Sequence, residues 1–286
     1  MDSLAVKWLQ VENTSKCNAW CPGCDRNQQG YGLAPGLIVQ DLDTDRFAEI
    51  LQQLPNLQTI QFCGTHGDFA AASNVLEHVE LALKHSKKIQ IHTHGGIRNA
   101  HWWRNLADML KPVEHDVWFG IDGLKGIHEI YRQGTDFDKT MENADAFIQA
   151  GGHATWQFIP WAHNEHQIKD CMRESQRMGF KRFKFVFGVR RGPNAYHYRT
   201  GEPFELKDWS RTQGTNHWRL EKTQIQTSDC LHLRENSIYV NANGTVSSCC
   251  FFNLHRSCSN VNELPDLHAE LTTKPSLACI KTCGSV

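Results

Sequence analysis

Two hydrophobic periods take turns along the first two-thirds of the chain. Short apolar-rich runs predict strands over residues 7–12, 57–64, 88–94, 115–122, 154–160 and 181–188. Between them, apolar positions at three- and four-residue spacing predict helices over 45–54, 74–85, 101–111, 137–152 and 164–180. The punctuation agrees: Asp43 is placed to cap the first helix and Pro55 to stop it, Pro112 ends the third, Gly151-Gly152 ends the fourth, and Asn164 is the expected cap of the fifth. Six strands alternating with helices through short connections predict an α/β fold over residues 1–188, a parallel sheet wrapped by helices. In such folds the chemistry sits on loops at the C-terminal ends of the strands.

From residue 189 the alternation fails. Residues 189–222 are polar, rich in Gly and Pro, and have no clean period. Residues 181–222 hold ten Lys/Arg against four Asp/Glu, which suits either a solvated linker or a basic lip for an anionic or peptide substrate. Beyond them, SIYVNANGTVSSCCF (237–251) reads as two short strands around Asn243-Gly244, a hairpin signal.

Composition narrows the class. With 286 residues, 40% apolar and 21% charged, the chain can bury a core without disulfide staples. The net charge of −1 gives nucleic acid no particular hold. No run of 18 apolar residues suggests a membrane span, and MDSLAVKWLQ lacks the basic-then-apolar pattern of a secretory signal, so the expected location is cytoplasmic.

The eleven cysteines change the picture most. An odd number without an export signal argues against a disulfide framework, and clustering at the two ends of the chain argues for metal. Cys17, Cys21 and Cys24 are spaced C-x3-C-x2-C in the loop after the first strand. Thiolates bind soft metals. A closed zinc site would need a fourth ligand; the next thiol, Cys63, could approach across the sheet but reads better as a small buried hydrophobe. Three thiolates on an iron–sulfur cube instead leave one iron open.

On these residues the sequence resembles the radical S-adenosylmethionine (SAM) superfamily. The resemblance implies a partial (β/α)6 barrel and a [4Fe-4S] cluster on Cys17, Cys21 and Cys24. It implies that the open iron is chelated by the methionine moiety of SAM, which one electron from the cluster cleaves to a 5′-deoxyadenosyl radical. A flavodoxin- or ferredoxin-like protein would donate that electron. The family's usual aromatic before the third cysteine is here Gly23, with Trp20 a candidate cover. QFCGTHGDF (61–69) occupies the place of the family's Gly-Gly-Glu segment and nominates Gly64, Thr65 and Asp68 for the methionine amino group. IHTHGG (91–96) resembles the Thr-Asn-Gly segment, with Thr93 near the cofactor and His94 in place of Asn. Asp122 either accepts ribose hydroxyls or is the turn residue before Gly123. Trp156 and Trp161 are either adenine neighbours or core.

Cys230, Gly244 and Cys249 fit C-x13-G-x4-C, which resembles the opening of the SPASM and twitch domains that follow many radical SAM barrels. That implies a small cysteine-rich domain with a β-hairpin at 223–286, joined to the barrel at 1–188 by a linker at 189–222. Cys279 and Cys283 would complete one auxiliary [4Fe-4S] cluster with Cys230 and Cys249, with Cys250 or Cys258 as alternates; a structural zinc could use the same thiols. The implied activity is hydrogen abstraction from a peptide or small molecule by an oxidoreductase or maturase. Tyr131, Arg190 and His197 are pocket candidates by position alone. The rival from another class is a zinc-stabilised binding protein.

Overall fold

A computed structural model of the protein describes residues 6–186, 194–207, 235–250 and 257–263. Six parallel strands follow one another in space as in sequence: β1 (Trp8–Val11), β2 (Thr59–Phe62), β3 (Lys88–Thr93), β4 (Glu114–Gly120), β5 (Ala154–Phe158) and β6 (Arg182–Phe185). The connecting helices are α1 (Thr44–Gln52), α2 (Val75–His85), α3 (Ala100–Leu110), α4 (His128–Tyr131), α5 (Phe137–Gln149) and α6 (Ile168–Met178). The α/β expectation holds.

Strand alternation explains how the helices attach. Ile60, Phe62, Ile89, Ile91, Val117, Phe119, Trp156 and Phe158 point one way and pack with Phe47, Ile50, Trp103, Leu106 and Phe147 of the helices in one buried core. Truncating a side chain such as Phe62 to alanine costs about 3–5 kcal/mol in cores of this kind. The caps are local: the Asp43 carboxylate accepts from Arg46 N at 2.8 Å, as the sequence predicts, and Asn99 and Asp136 start α3 and α5 in the same way.

The opposite face of the sheet is polar. His92 sits there among glutamines, with Gln61 Nε2 at 3.0 Å from its Nε2 and Gln157 Oε1 at 3.2 Å from its Nδ1. Burial pushes His92 down to about 4, against the opposing bond to Gln157, so it is neutral near pH 7.

The predicted tail hairpin is present as β9 (Ser237–Val240) and β10 (Val246–Ser247), turned at Gly244 with φ +79°. β9 pairs in parallel with β1, Trp8 opposite Ser237 through Val11 opposite Val240, so the hairpin continues the barrel sheet. Part of the segment read as a linker is also ordered onto the barrel. Residues 194–207 form a two-stranded hairpin, β7 (Ala195–Tyr196) and β8 (Pro203–Phe204). Tyr196 N donates to Gln29 O at 2.9 Å, and Gln133 Nε2 donates to Tyr196 O at 2.9 Å.

Asn164 departs from expectation. It makes no side-chain cap. Instead its fully buried amide donates to the carbonyls of Asp122 and Ile159, both at 3.0 Å, and accepts from Trp161 N at 2.7 Å, tying the ends of β4 and β5 together. Among the described residues no helix is long and apolar enough to cross a membrane.

Candidate metal centre

β1 ends at Val11, and the chain enters a loop whose backbone is held at many points. Arg26, 6% exposed, reaches back to Ser15 O at 2.7 Å and Cys17 O at 3.2 Å. Asn27 Nδ2 donates to Cys21 O at 3.1 Å, and Cys24 N closes a turn onto Cys21 O at 3.0 Å. Asp41 clamps the base of the loop, accepting from Thr14 Oγ1 at 2.7 Å, Lys16 Nζ at 2.6 Å and Ser73 Oγ at 2.6 Å.

These restraints gather Cys17, Cys21 and Cys24 into one small apolar cluster with Ala19, Tyr131, Trp161, Ile159 and Leu206. Burial pushes the Cys21 thiol up to about 12, with the Arg132 charge opposing, and raises Cys17 as well, with Asp68 and Cys21 adding to it. Thiols so disfavoured as bare anions become thiolates when a cation takes the proton's place. No two described cysteines form a disulfide.

The donor set, three thiols gathered on one loop, fits an iron–sulfur cube, in which each thiolate takes a different iron. One buried nitrogen of this cluster, Trp161 Nε1, has no hydrogen-bond partner, as expected where a polar group completes the site.

The loop after β2 lies against the cysteine loop. Cys24 Sγ is 3.9 Å from Thr65 O, and Asp68 N donates to Lys16 O at 2.9 Å. Thr65 is engaged through both its N and its Oγ1 by the Tyr239 hydroxyl at 3.2 and 3.1 Å, which links β9 to this loop. A β-carbon on Gly64 would stand 3.0 Å from the Glu12 side chain. The sequence nominates Asp68 as an ammonium acceptor, but its oxygens are already committed to Thr93 Oγ1, His94 N and Ala70 N at 2.8–3.0 Å. Asp68 and Thr93 thus lock the ends of β2 and β3.

Asp122 is fully buried; Oδ1 accepts from Ile159 N at 2.7 Å and Oδ2 from Arg132 Nε at 2.6 Å. Burial alone raises its carboxyl, and the guanidinium opposes that shift. The arginine that this carboxylate engages is named by neither sequence reading of Asp122, ribose acceptor or turn former. Trp156 is wholly core, its Nε1 donating to Ile121 O at 2.8 Å. Trp161 and Tyr131 instead meet ring to ring beside Cys21, centroids 5.1 Å apart and tilted by 36°. His197 lies exposed on the β7–β8 hairpin. Cys230, Arg190, Cys279 and Cys283 lie outside the described residues. Cys249 is buried just after β10, whereas the Cys258 thiol sits in the main core, with Val246 O at 3.5 Å and Asn260 O at 3.2 Å as acceptors.

Two residues escaped the sequence reading. Glu12, 3% exposed, follows β1; its Oε1 accepts from His66 N at 2.5 Å and its Oε2 lies 3.4 Å from His66 Nδ1. It lines a cavity of about 760 Å³ with Ser15, Cys24, Gln40, His66 and Asn241. Arg132 caps α4, a four-residue turn too short to show a helical period. Its Nη1 is 3.9 Å from Cys21 Sγ.

No protein-family model matches the sequence, and no curated protein sequence matches it. Solved structures do match. Streptococcus suis SuiB bound to S-adenosylmethionine superposes with a TM-score of 0.61 at 12% identity, over 97% of this chain and 68% of that one. The protein anSMEcpe with bound AdoMet gives a TM-score of 0.61 at 14% identity, over 97% and 79% of the two chains. SuiB bound to its precursor peptide SuiA gives 0.60 at 12% identity, over 97% and 67%. A likeness of this extent at such identity is one of architecture. From β1 to the tail hairpin, this chain has the fold of radical SAM enzymes.

Proposed function

We propose that this chain is a radical SAM enzyme that abstracts a hydrogen atom from a peptide substrate, with an auxiliary cluster in the 223–286 segment assisting oxidation or substrate binding. The observation that carries the reading is the gathering of Cys17, Cys21 and Cys24 into one cluster on the loop at the C-terminal end of the first parallel strand. When bound, the cluster supplies the electron that cleaves the sulfonium of SAM to a 5′-deoxyadenosyl radical.

The chain's own residues hold and enclose. Cys17, Cys21 and Cys24 would ligate three irons and leave the fourth for the methionine end of SAM. Gly64 and Thr65 bring the loop after β2 to the cysteines, and Asp68 with Thr93 fixes the neighbouring β3 end. Since Asp68 is spent on that junction, Glu12 is the buried carboxylate in the adjoining cavity that can accept from an ammonium. Tyr131, Trp161 and Leu206 pack against the cysteines and bury Cys21. The neutral wall of Gln61, His92 and Gln157 offers hydrogen bonds without charge, as an uncharged peptide group needs. A peptide substrate is further supported by the two similar proteins that bind peptides, SuiB with SuiA and anSMEcpe with the Cp18Cys peptide. Cys230, Cys249, Cys279 and Cys283 would hold the auxiliary cluster, and a flavodoxin- or ferredoxin-like protein would supply electrons.

Anaerobically reconstituted protein, reduced with dithionite, should convert SAM to 5′-deoxyadenosine, read by chromatography. A colourless zinc protein that leaves SAM intact would refute the reading and favour a binding protein.

A further inference from the structure

Arg132 is held from three sides beside the cysteine loop. Its Nε donates to Asp122 Oδ2 at 2.6 Å, and its Nη1 lies 3.9 Å from Cys21 Sγ. Its Nη2 lies across Gly120, where an added β-carbon would stand 2.7 Å away, so a glycine there makes room for the guanidinium. The Tyr131 ring flanks it, with Cζ 5.5 Å from the ring centroid. The Arg132 side chain is 14% exposed and that of Asp122 is 0% exposed, so this charge is fixed in a poorly screened place. An arginine guanidinium keeps its charge in a protein, and here the buried Asp122 carboxylate pairs with it.

An iron–sulfur cluster becomes more negative by one charge when it accepts an electron. A fixed cation close to one of its thiolates therefore stabilises the reduced form more than the oxidised form. Asp122 offsets part of this effect. It meets the guanidinium at Nε, however, whereas the approach to Cys21 is through Nη1. Resting on the radical SAM reading above, we infer that Arg132, positioned by Asp122 and by the space at Gly120, raises the reduction potential of the cluster on Cys17, Cys21 and Cys24. The step concerned is the one-electron reduction alone: the donor loses the electron, the cluster gains it, and no proton moves.

The test is an EPR-monitored redox titration of the full, anaerobically reconstituted chain without SAM, which separates an effect on the cluster from one on cofactor binding. Iron per chain is measured first, and the signal lost in the Cys17→Ala/Cys21→Ala/Cys24→Ala variant identifies the cluster concerned. Arg132→Met should keep the iron and shift this midpoint to lower potential. Arg132→Lys, which keeps a cation, should recover most of the shift. Gly120→Ala, which displaces the guanidinium without removing it, should also lower the midpoint, and it decides the matter if Arg132→Met does not retain iron. A midpoint unmoved in the iron-loaded variants overturns the inference and leaves the radical SAM reading intact. Wild-type chain that takes up no iron overturns the reading itself.

Discussion

Gly67 lies so close to Thr14 that a β-carbon built on it would stand 1.7 Å from the Thr14 carbonyl oxygen. The loop after β2 is thus pressed against the backbone just before the first cysteine, and nothing larger than glycine fits between them. Gly67→Ala should force the cysteine loop away and cost about 1–3 kcal/mol or more in stability. Iron retained after reconstitution and gel filtration should fall well below wild type. Retention equal to wild type would show that the two loops are independent.

In the proposed site Glu12 takes the ammonium, because the Asp68 oxygens accept from Thr93, His94 and Ala70. Glu12→Gln keeps the size and the bond from His66 N but removes the charge. SAM affinity, measured by anaerobic calorimetry, should weaken about tenfold or more, as loss of a charge-assisted hydrogen bond of about 1.5–3 kcal/mol requires. Iron content should not change. Unaltered affinity would remove Glu12 from the proposed site.

Asp41 links acid stability to the cysteine loop. Burial pushes its carboxyl up, but hydrogen bonds from Lys16, Ser73 and Thr14 outweigh burial and hold it at about 2. A carboxyl depressed in the folded state contributes stability that is complete above its unfolded value near 4 and is lost as pH falls from there through about 2. The contribution is about 2 kcal/mol. Asp41→Asn should lower the denaturation midpoint at pH 6, and the gap to wild type should close between about pH 4 and pH 2. A gap independent of pH would contradict the clamp.

The architecture was legible because it is written locally. Strands such as Thr59–Phe62 and helices such as Ala100–Leu110 carry their period and punctuation in their own residues. Cys17, Cys21 and Cys24 were legible from spacing. The losses are long-range. The pairing of β9 with β1, the Asp122–Arg132 ion pair and the burial of Asn164 between two strand ends all join segments whose partners no local pattern names. Arg132 was hidden further because α4 is a single turn. Gly67 did leave a trace, as a second glycine three residues after Gly64 in a strand-to-helix loop.

The tail cysteines separate by environment. Cys258 packs in the main core and its thiol has backbone acceptors at Val246 and Asn260, whereas Cys249 directly follows the hairpin. Cys258→Ala should leave the iron content of the reconstituted chain unchanged, while Cys249→Ala should remove about four irons. Iron lost from Cys258→Ala and kept in Cys249→Ala would exchange their roles.

The central claim is that an open-cornered cluster sits on Cys17, Cys21 and Cys24. Its most direct measurement is iron per chain, with absorbance near 400 nm, in anaerobically reconstituted wild type and in the variant with all three cysteines changed to alanine. Wild type should hold about eight irons and the variant about four fewer, and the variant should yield no 5′-deoxyadenosine. Equal iron in the two proteins, or zinc in place of iron, would contradict it.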